Sequence, residues 1–326
     1  MKILKTLGVI LVVVLLLGAL SGLYVNYTMP NVGNPPEIII DTTAQRIERG
    51  KYLANHVTLC MDCHSKRDWS IYSGPMIAGT DGSGGEVFNK DLGFPGTVYA
   101  SNITPANLST WTDGEIYRAV TAGVGKDGHA LFPVMAYPRF GKMDQEDIYS
   151  IIAYIRSLKP IKTKGLPKPQ LDFPVNILNK LGPKVVEHEI KPNPSDSVKY
   201  GAYLVNAAGC VDCHSKSDKG EVIAGTEFGG GMEFKQPAGI LRSPNITMHP
   251  TSGLGKWTKE MFIRRFKAYT DSTYVPQKIN PGELVTAMPW SMYGGMTEQD
   301  LGYIFTFLKS IKPQENKVEV RTFIKP

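Results

Sequence analysis

Cysteine is scarce in this chain: four in 326 residues, none outside the runs Cys60-Met-Asp-Cys63-His64 and Cys210-Val-Asp-Cys213-His214. A disulfide framework belongs to much smaller secreted chains, and no thiol is left over for a reactive or lipid-bearing role. Charge is missing altogether from Thr6 to Val25, directly after Lys2 and Lys5. Basic residues form no stripe with interleaved aromatics, which argues against a nucleic-acid partner. The formal charge of +6 permits docking on an acidic surface without specifying one.

What is present is a motif written twice. C-x-x-C-H is the attachment signature of c-type haem: both thiols bond the vinyl groups and the adjacent histidine ligates the iron. The competing readings are two disulfides, two Cys/His zinc sites, or one zinc held by four thiolates, which leaves both histidines unexplained. The reading adopted is two covalently bound haem c, held through Cys60, Cys63, Cys210 and Cys213, with His64 and His214 as axial ligands. Four propionates then offset most of the positive charge.

The uncharged stretch after Lys5 is long enough to cross a bilayer as a helix. Leu20-Ser21-Gly22 is a poor cleavage site, so an uncleaved signal-anchor is expected. The lysines on its N-terminal side place that end in the cytoplasm, and the remainder on the periplasmic side of a bacterial inner membrane. The expected organisation is an anchor over 1–28, a linker over 29–44, a haem domain over 45–160, a Pro-rich connector over 161–195, a second haem domain over 196–313 and a tail over 314–326. The connector carries Pro167, Pro169, Pro174, Pro183, Pro192 and Pro194, and is therefore stiff. Its apolar residues Phe173, Val175, Ile177, Leu178 and Leu181 are expected to dock on one of the two units.

The two domains follow from an internal repeat. Gly50-Lys-Tyr52-Leu53 matches Gly201-Ala-Tyr203-Leu204; Asn102-Ile-Thr104 matches Asn245-Ile-Thr247; Trp111-Thr112 matches Trp257-Thr258. Thr112-Asp-Gly-Glu115 reads as a capping box, and Thr258 as its counterpart. Asp144 and Thr297 read as N-caps of a last helix in each unit. Its apolar stripe is Ile148, Ile151, Ile152, Ile155 and Leu158 in the first, and Leu301, Ile304, Phe305, Leu308 and Ile311 in the second. Gly50 and Gly201 are expected to admit a crossing helix, with Tyr154 and Phe307 filling the crossing.

The remaining axial position separates carrier from catalyst. A methionine thioether raises the potential and blocks substrate access. Met135 and Met288 recur at the same place in both units and are taken as the sixth ligands; Met143 and Met296, the other matched pair, abut helix caps and read as packing. His56, His129, His188 and His249 have no matching counterparts. His129 is the one competitor, and exposed or locally hydrogen-bonded histidine is the preferred reading for all four. Trp111, Trp257, Arg118 and Arg264 also recur and are candidates to face propionates.

These residues, with the Met-x-aromatic block and the connector Leu171-Asp-Phe-Pro-Val-Asn176, resemble the two-domain class I cytochromes c related to cytochrome subunits of membrane-bound alcohol and gluconate dehydrogenases. The resemblance spans Ala44 to Pro313. It implies an all-α fold, two tandem class I cytochrome c domains behind an N-terminal transmembrane helix. It also implies His/Met ligation, and electron transfer to redox protein partners (a dehydrogenase or oxidase) without a small-molecule substrate. Met135 is followed by Ala136, where that family usually has proline. A di-haem peroxidase and the haem c subunit of a terminal oxidase are the alternatives.

Overall fold

The computed structural model describes residues 2–218 and 220–324; residue 1 of the expected anchor and residues 325–326 of the expected tail lie outside them. Lys2–Thr28 is one 27-residue helix with no buried residue and a mean hydropathy of 2.7 in its most apolar window. At about 1.5 Å per residue it exceeds the roughly 30 Å hydrocarbon core. It is therefore long and apolar enough for a membrane anchor.

After it, the same helix pair is built twice. An opening helix (Ala44–Tyr52; Ser197–Ala207) packs on a closing helix (Gln145–Ser157; Glu298–Ser310). Asp144 and Thr297 cap the closing helices, their side chains accepting from Glu146 N and Asp300 N. Both apolar stripes are buried, apart from Ile311, which is half-buried against the core. Gly50 and Gly201 sit at the crossings: a Cβ there would overlap the carbonyl of Ser150 or of Tyr303, and the Cβ atoms of Tyr154 and Phe307 lie beside them. Between the pair, Asp113–Ala122 opens on the Thr112–Glu115 capping box, and Lys259–Lys267 opens on Thr258.

The all-α expectation is corrected here. Only 39% of the structure is helical, and among the described residues three small antiparallel sheets accompany the helices. The chain is not an all-α pair of class I cytochrome c domains. Val87–Phe88, Gly96–Tyr99 and Gln170–Leu171 form one three-stranded sheet, with Val87 opposite Tyr99 and Gly96 opposite Leu171. Glu233–Gln236, Gly239–Arg242 and Arg321–Phe323 form its counterpart, with Glu233 opposite Arg242 and Gly239 opposite Phe323. Ser217–Asp218 and Glu221–Val222 make a short hairpin. The cause is the long glycine-bearing stretch between each C-x-x-C-H and its methionine. Outside the helices Asp113–Ala122 and Lys259–Lys267 that it also carries, part of its backbone is satisfied by pairing across strands.

In both halves the segment after the closing helix returns to supply the third strand. The connector and the tail are thus tied down rather than free. The connector's apolar residues divide: Val175 and Ile177 are half-buried, whereas Phe173, Leu178 and Leu181 face solvent. The expected docking of the whole patch on a unit is not what the structure contains.

One apolar core runs through both halves, and a polar interlock is made in each direction. Tyr203 Oη donates to Asp147 Oδ2 at 2.8 Å, and Tyr52 Oη donates to Asp300 Oδ2 at 2.5 Å. Tyr52 and Tyr203 are repeat partners, as are Asp147 and Asp300, so the opening helix of each half grips the closing helix of the other. Asp147 is almost fully buried and also pairs with Arg49 (2.7 Å) and Lys191 (2.8 Å).

Candidate haem centres

Each C-x-x-C-H begins on a residue in left-handed backbone, Leu59 (φ 56°) or Gly209 (φ 67°), followed by a single helical turn. That turn sets the two thiols three residues apart on one side, where helical neighbours meet. His64 N and His214 N then donate to the carbonyls of Cys60 and Cys210 at 2.9 and 3.0 Å. Glycine takes the left-handed position without cost, whereas Leu59 costs about 1–2 kcal/mol. None of the four cysteines is joined in a disulfide. Burial pushes the Cys63 and Cys210 thiols up to about 12 and raises Cys60 as well. Among the described residues, no group of three or more His, Cys, Asp or Glu is placed to hold a metal ion.

The histidines are oriented identically. His64 Nδ1 lies 2.6 Å from the Ser101 carbonyl and His214 Nδ1 lies 2.9 Å from the Pro244 carbonyl. A carbonyl only accepts, so each Nδ1 carries the proton and Nε2 is left with its lone pair, as an iron ligand requires. Burial lowers the basicity of both rings, with the carbonyl bond opposing it, so the neutral imidazole is favoured.

The carbonyls come from the residues preceding Asn-Ile-Thr, which explains a motif that sequence reasoning found without assigning a purpose. Asn102 Oδ1 accepts from Thr104 N and Oγ1 at 2.9 and 2.8 Å, while Nδ2 donates to the Ile161 carbonyl at 2.7 Å. Asn245 repeats this with Thr247 N and Oγ1 at 2.9 and 2.7 Å and the Gln314 carbonyl at 2.8 Å. Both Asn–Thr pairs are buried. They fasten the segment just after the strand, which carries the histidine's acceptor, to the segment leaving the closing helix. Gly84 N and Gly230 N donate to the carbonyls of His64 and His214, both at 2.8 Å, and close the turn from the other side.

Met135 and Met288 are half-buried against the core, just ahead of the one-turn helices Tyr137–Phe140 and Trp290–Tyr293. Met143 and Met296 are fully buried among the closing helices, as packing residues should be. Two of the other histidines are engaged locally, His129 with Asp127 and His249 with Ser252, whereas His56 reaches the Met292 carbonyl in the other half and His188 reaches Tyr117 and the Met143 carbonyl.

The arginine pair divides. Arg118 donates to the Gly125 carbonyl at 2.7 Å and keeps a buried Nε without a protein partner, whereas Arg264 is exposed on a surface cleft with Glu260 and Glu298. Trp111 and Trp257 both pack half-buried on the core. Among the described residues, the other orphaned buried polar atoms are Asp62 Oδ1, inside the first motif, and Arg139 Nε. The Arg139 guanidinium pairs with Asp212 inside the second motif. Buried polar atoms rarely go unpaired, and here two of the three sit at the C-x-x-C-H turns. The paired thiols, the oriented imidazoles and the unpartnered Nε donors of Arg118 and Arg139 together fit a prosthetic group bearing vinyl and acidic substituents.

No family model matches the chain. It is 29% identical over 284 residues to the fructose dehydrogenase cytochrome subunit of Gluconobacter japonicus, covering 81% of this chain and 52% of that one. It is 26% identical over 289 residues to the cytochrome c subunit of the quinone-type alcohol dehydrogenase of Gluconacetobacter polyoxogenes (84% and 57%). It is 23% identical over 291 residues to the gluconate 2-dehydrogenase cytochrome c subunit of Pantoea cypripedii (85% and 62%). The chain spans little more than half the length of these curated relatives. Its relatives are cytochrome subunits of dehydrogenases, which bears out the kinship read from the motifs.

Proposed function

We propose that the chain is a di-haem electron carrier, the cytochrome subunit of a dehydrogenase or of a related respiratory complex. Haem c, when bound, supplies a one-electron iron couple whose potential is set by its axial ligands. The observation that carries the reading is the repeated histidine, held in the same tautomer by the same carbonyl in both halves. Cys60, Cys63, Cys210 and Cys213 attach the two groups. His64 and His214 ligate from one side, Met135 and Met288 from the other. Arg118, with its unpartnered Nε, is suited to an acidic substituent of the first group.

A methionine candidate for the sixth position in both halves favours a carrier over a peroxidase, which requires one haem with an openable site. The kinship with dehydrogenase subunits favours that role over a terminal oxidase. In this reading the N-terminal helix crosses a bacterial inner membrane once, and both centres stand on the periplasmic side, near a protein donor and a protein acceptor.

Expression with the haem-attachment machinery tests it. Mass spectrometry and the pyridine haemochrome assay are expected to find two haems per chain, and a protease-protection assay to find residues 29–326 outside the cytoplasm. One haem per chain, or protection of the haem-bearing part, would refute the corresponding half of the proposal.

A further inference from the structure

Ser73 belongs to the first half, ten residues beyond Cys63, yet its hydroxyl is built into the second half. It is 1% exposed and held in left-handed backbone, φ 70°. Ser73 Oγ donates to the Met288 carbonyl at 2.8 Å and accepts from Trp290 N at 2.9 Å. It thereby clasps both ends of the tight turn at Met288-Pro289-Trp290, where Pro289 has φ −81° and ψ 66° and Trp290 N also reaches the Met288 carbonyl at 2.9 Å.

The neighbouring backbone is paired across the same boundary: Tyr72 N donates to the Gln277 carbonyl and Ile279 N to the Ser70 carbonyl, both at 2.8 Å. The rings repeat the grip, Tyr72 stacking on Tyr269 and Tyr269 on Trp290, each pair 17° from parallel. The first methionine is served differently: the second half reaches the helix after it, where Asn206 Nδ2 donates to the Arg139 carbonyl at 3.3 Å and Asp212 pairs with the Arg139 guanidinium. Among the described residues, no side-chain hydrogen bond reaches the backbone of 133–137.

We infer that Ser73 is a positioning residue for Met288, so that the sixth ligand of the second centre is held in place by a side chain from the first half of the chain. A thioether is a weak ligand, and its retention depends on the loop presenting it at the right distance. This rests on the ligation proposed above.

Ser73→Gly isolates the hydroxyl, because glycine keeps the left-handed backbone without strain. In the purified holoprotein, the thioether–iron charge-transfer band is expected to fall to about half its wild-type amplitude. One haem per chain should then take up carbon monoxide, and only one of the two midpoint potentials should drop. In a Met288→Ala background, Ser73→Gly is expected to change the remaining band no further. Full amplitude with both potentials unchanged, or equal loss at both centres, would overturn the inference. Absence of the band from the wild-type protein would instead overturn the ligation on which it rests.

A second, independent observation concerns the exposed side of the connector. Phe173, Leu178, Leu181 and Val185 are 79%, 54%, 53% and 71% exposed, whereas single exposed apolar residues are the norm. Lys180 Nζ donates to the carbonyl and Oδ1 of Asn26, at 3.0 and 2.6 Å, at the end of the long apolar helix. The bond fixes the cluster beside the point where that helix leaves its apolar stretch. We propose that this surface rests in the headgroup region of the membrane crossed by Lys2–Thr28, its lysines suited to anionic lipid.

The full chain in lipid nanodiscs, photolabelled with a bilayer-partitioned diazirine, is expected to carry label in 173–185 as well as in 2–28. Label confined to 2–28 would overturn the proposal. An unlabelled 2–28 would overturn the anchor itself.

Discussion

At the residue scale the account turns on how few atoms fix each histidine. The tautomer is set by one carbonyl, and that carbonyl is held by an asparagine whose amide bonds in two directions. Asn102→Ala leaves the buried Thr104 N–H without its partner and the Ile161 carbonyl with only the long 3.4 Å bond from Thr104 Oγ1. It is expected to cost about 1–3 kcal/mol of stability in urea unfolding, and Asn245→Ala a similar amount. A loss below about 0.5 kcal/mol would mean the network is not structural. The attachment residues were legible in the sequence because their chemistry demands fixed spacing. The asparagine's role was not, since it depends on a strand passing behind the histidine at a distance along the chain that no motif encodes. Arg264 shows the opposite limit: it matches Arg118 in sequence, yet the surface it occupies is exposed.

At the scale of elements, the helices follow from caps and stripes that can be read locally, and they were. The glycine crossings were legible for the same reason, because a glycine amid a repeated helical pattern has a steric explanation. Gly50→Ala is expected to force the opening helix off Ser150 and cost about 3 kcal/mol, and Gly201→Ala to do the same against Tyr303. Thermal melting of the holoprotein checks both, and an unchanged Tm for either would contradict the packing. The sheets escaped notice. Val87–Phe88 and Gln170–Leu171 are two-residue strands, too short to show alternation, and they pair across a separation set by the helices between them. Ordinary long loops in an all-α expectation thus turned out to be strand-bearing arms.

At the scale of the whole molecule, the two halves are joined by reciprocal tyrosine–aspartate bonds, which no reading of one half at a time reveals. Burial disfavours a charged Asp147, yet Arg49 and Lys191 overcome it and hold the carboxyl below its ordinary range. A carboxyl whose folded pKa is depressed favours the folded state above its unfolded value, near 3.9, and that contribution is lost as pH falls through the lower folded value. Stability is therefore expected to hold from neutral pH to about 5 and to decline below about 4. Asp147→Asn should cost about 3 kcal/mol at pH 7 and flatten the acid decline; an unchanged acid limb would contradict the assignment. Tyr52→Phe and Tyr203→Phe are expected to cost about 1–2 kcal/mol each, read by urea unfolding. All of this matters for function because the interlock sets how the two candidate centres face one another.

The most direct measurement of the central claim is near-infrared magnetic circular dichroism of the oxidised holoprotein. Two low-spin irons, both with the thioether charge-transfer signature of His/Met ligation, are expected. A high-spin or bis-histidine signature at either iron would contradict the account.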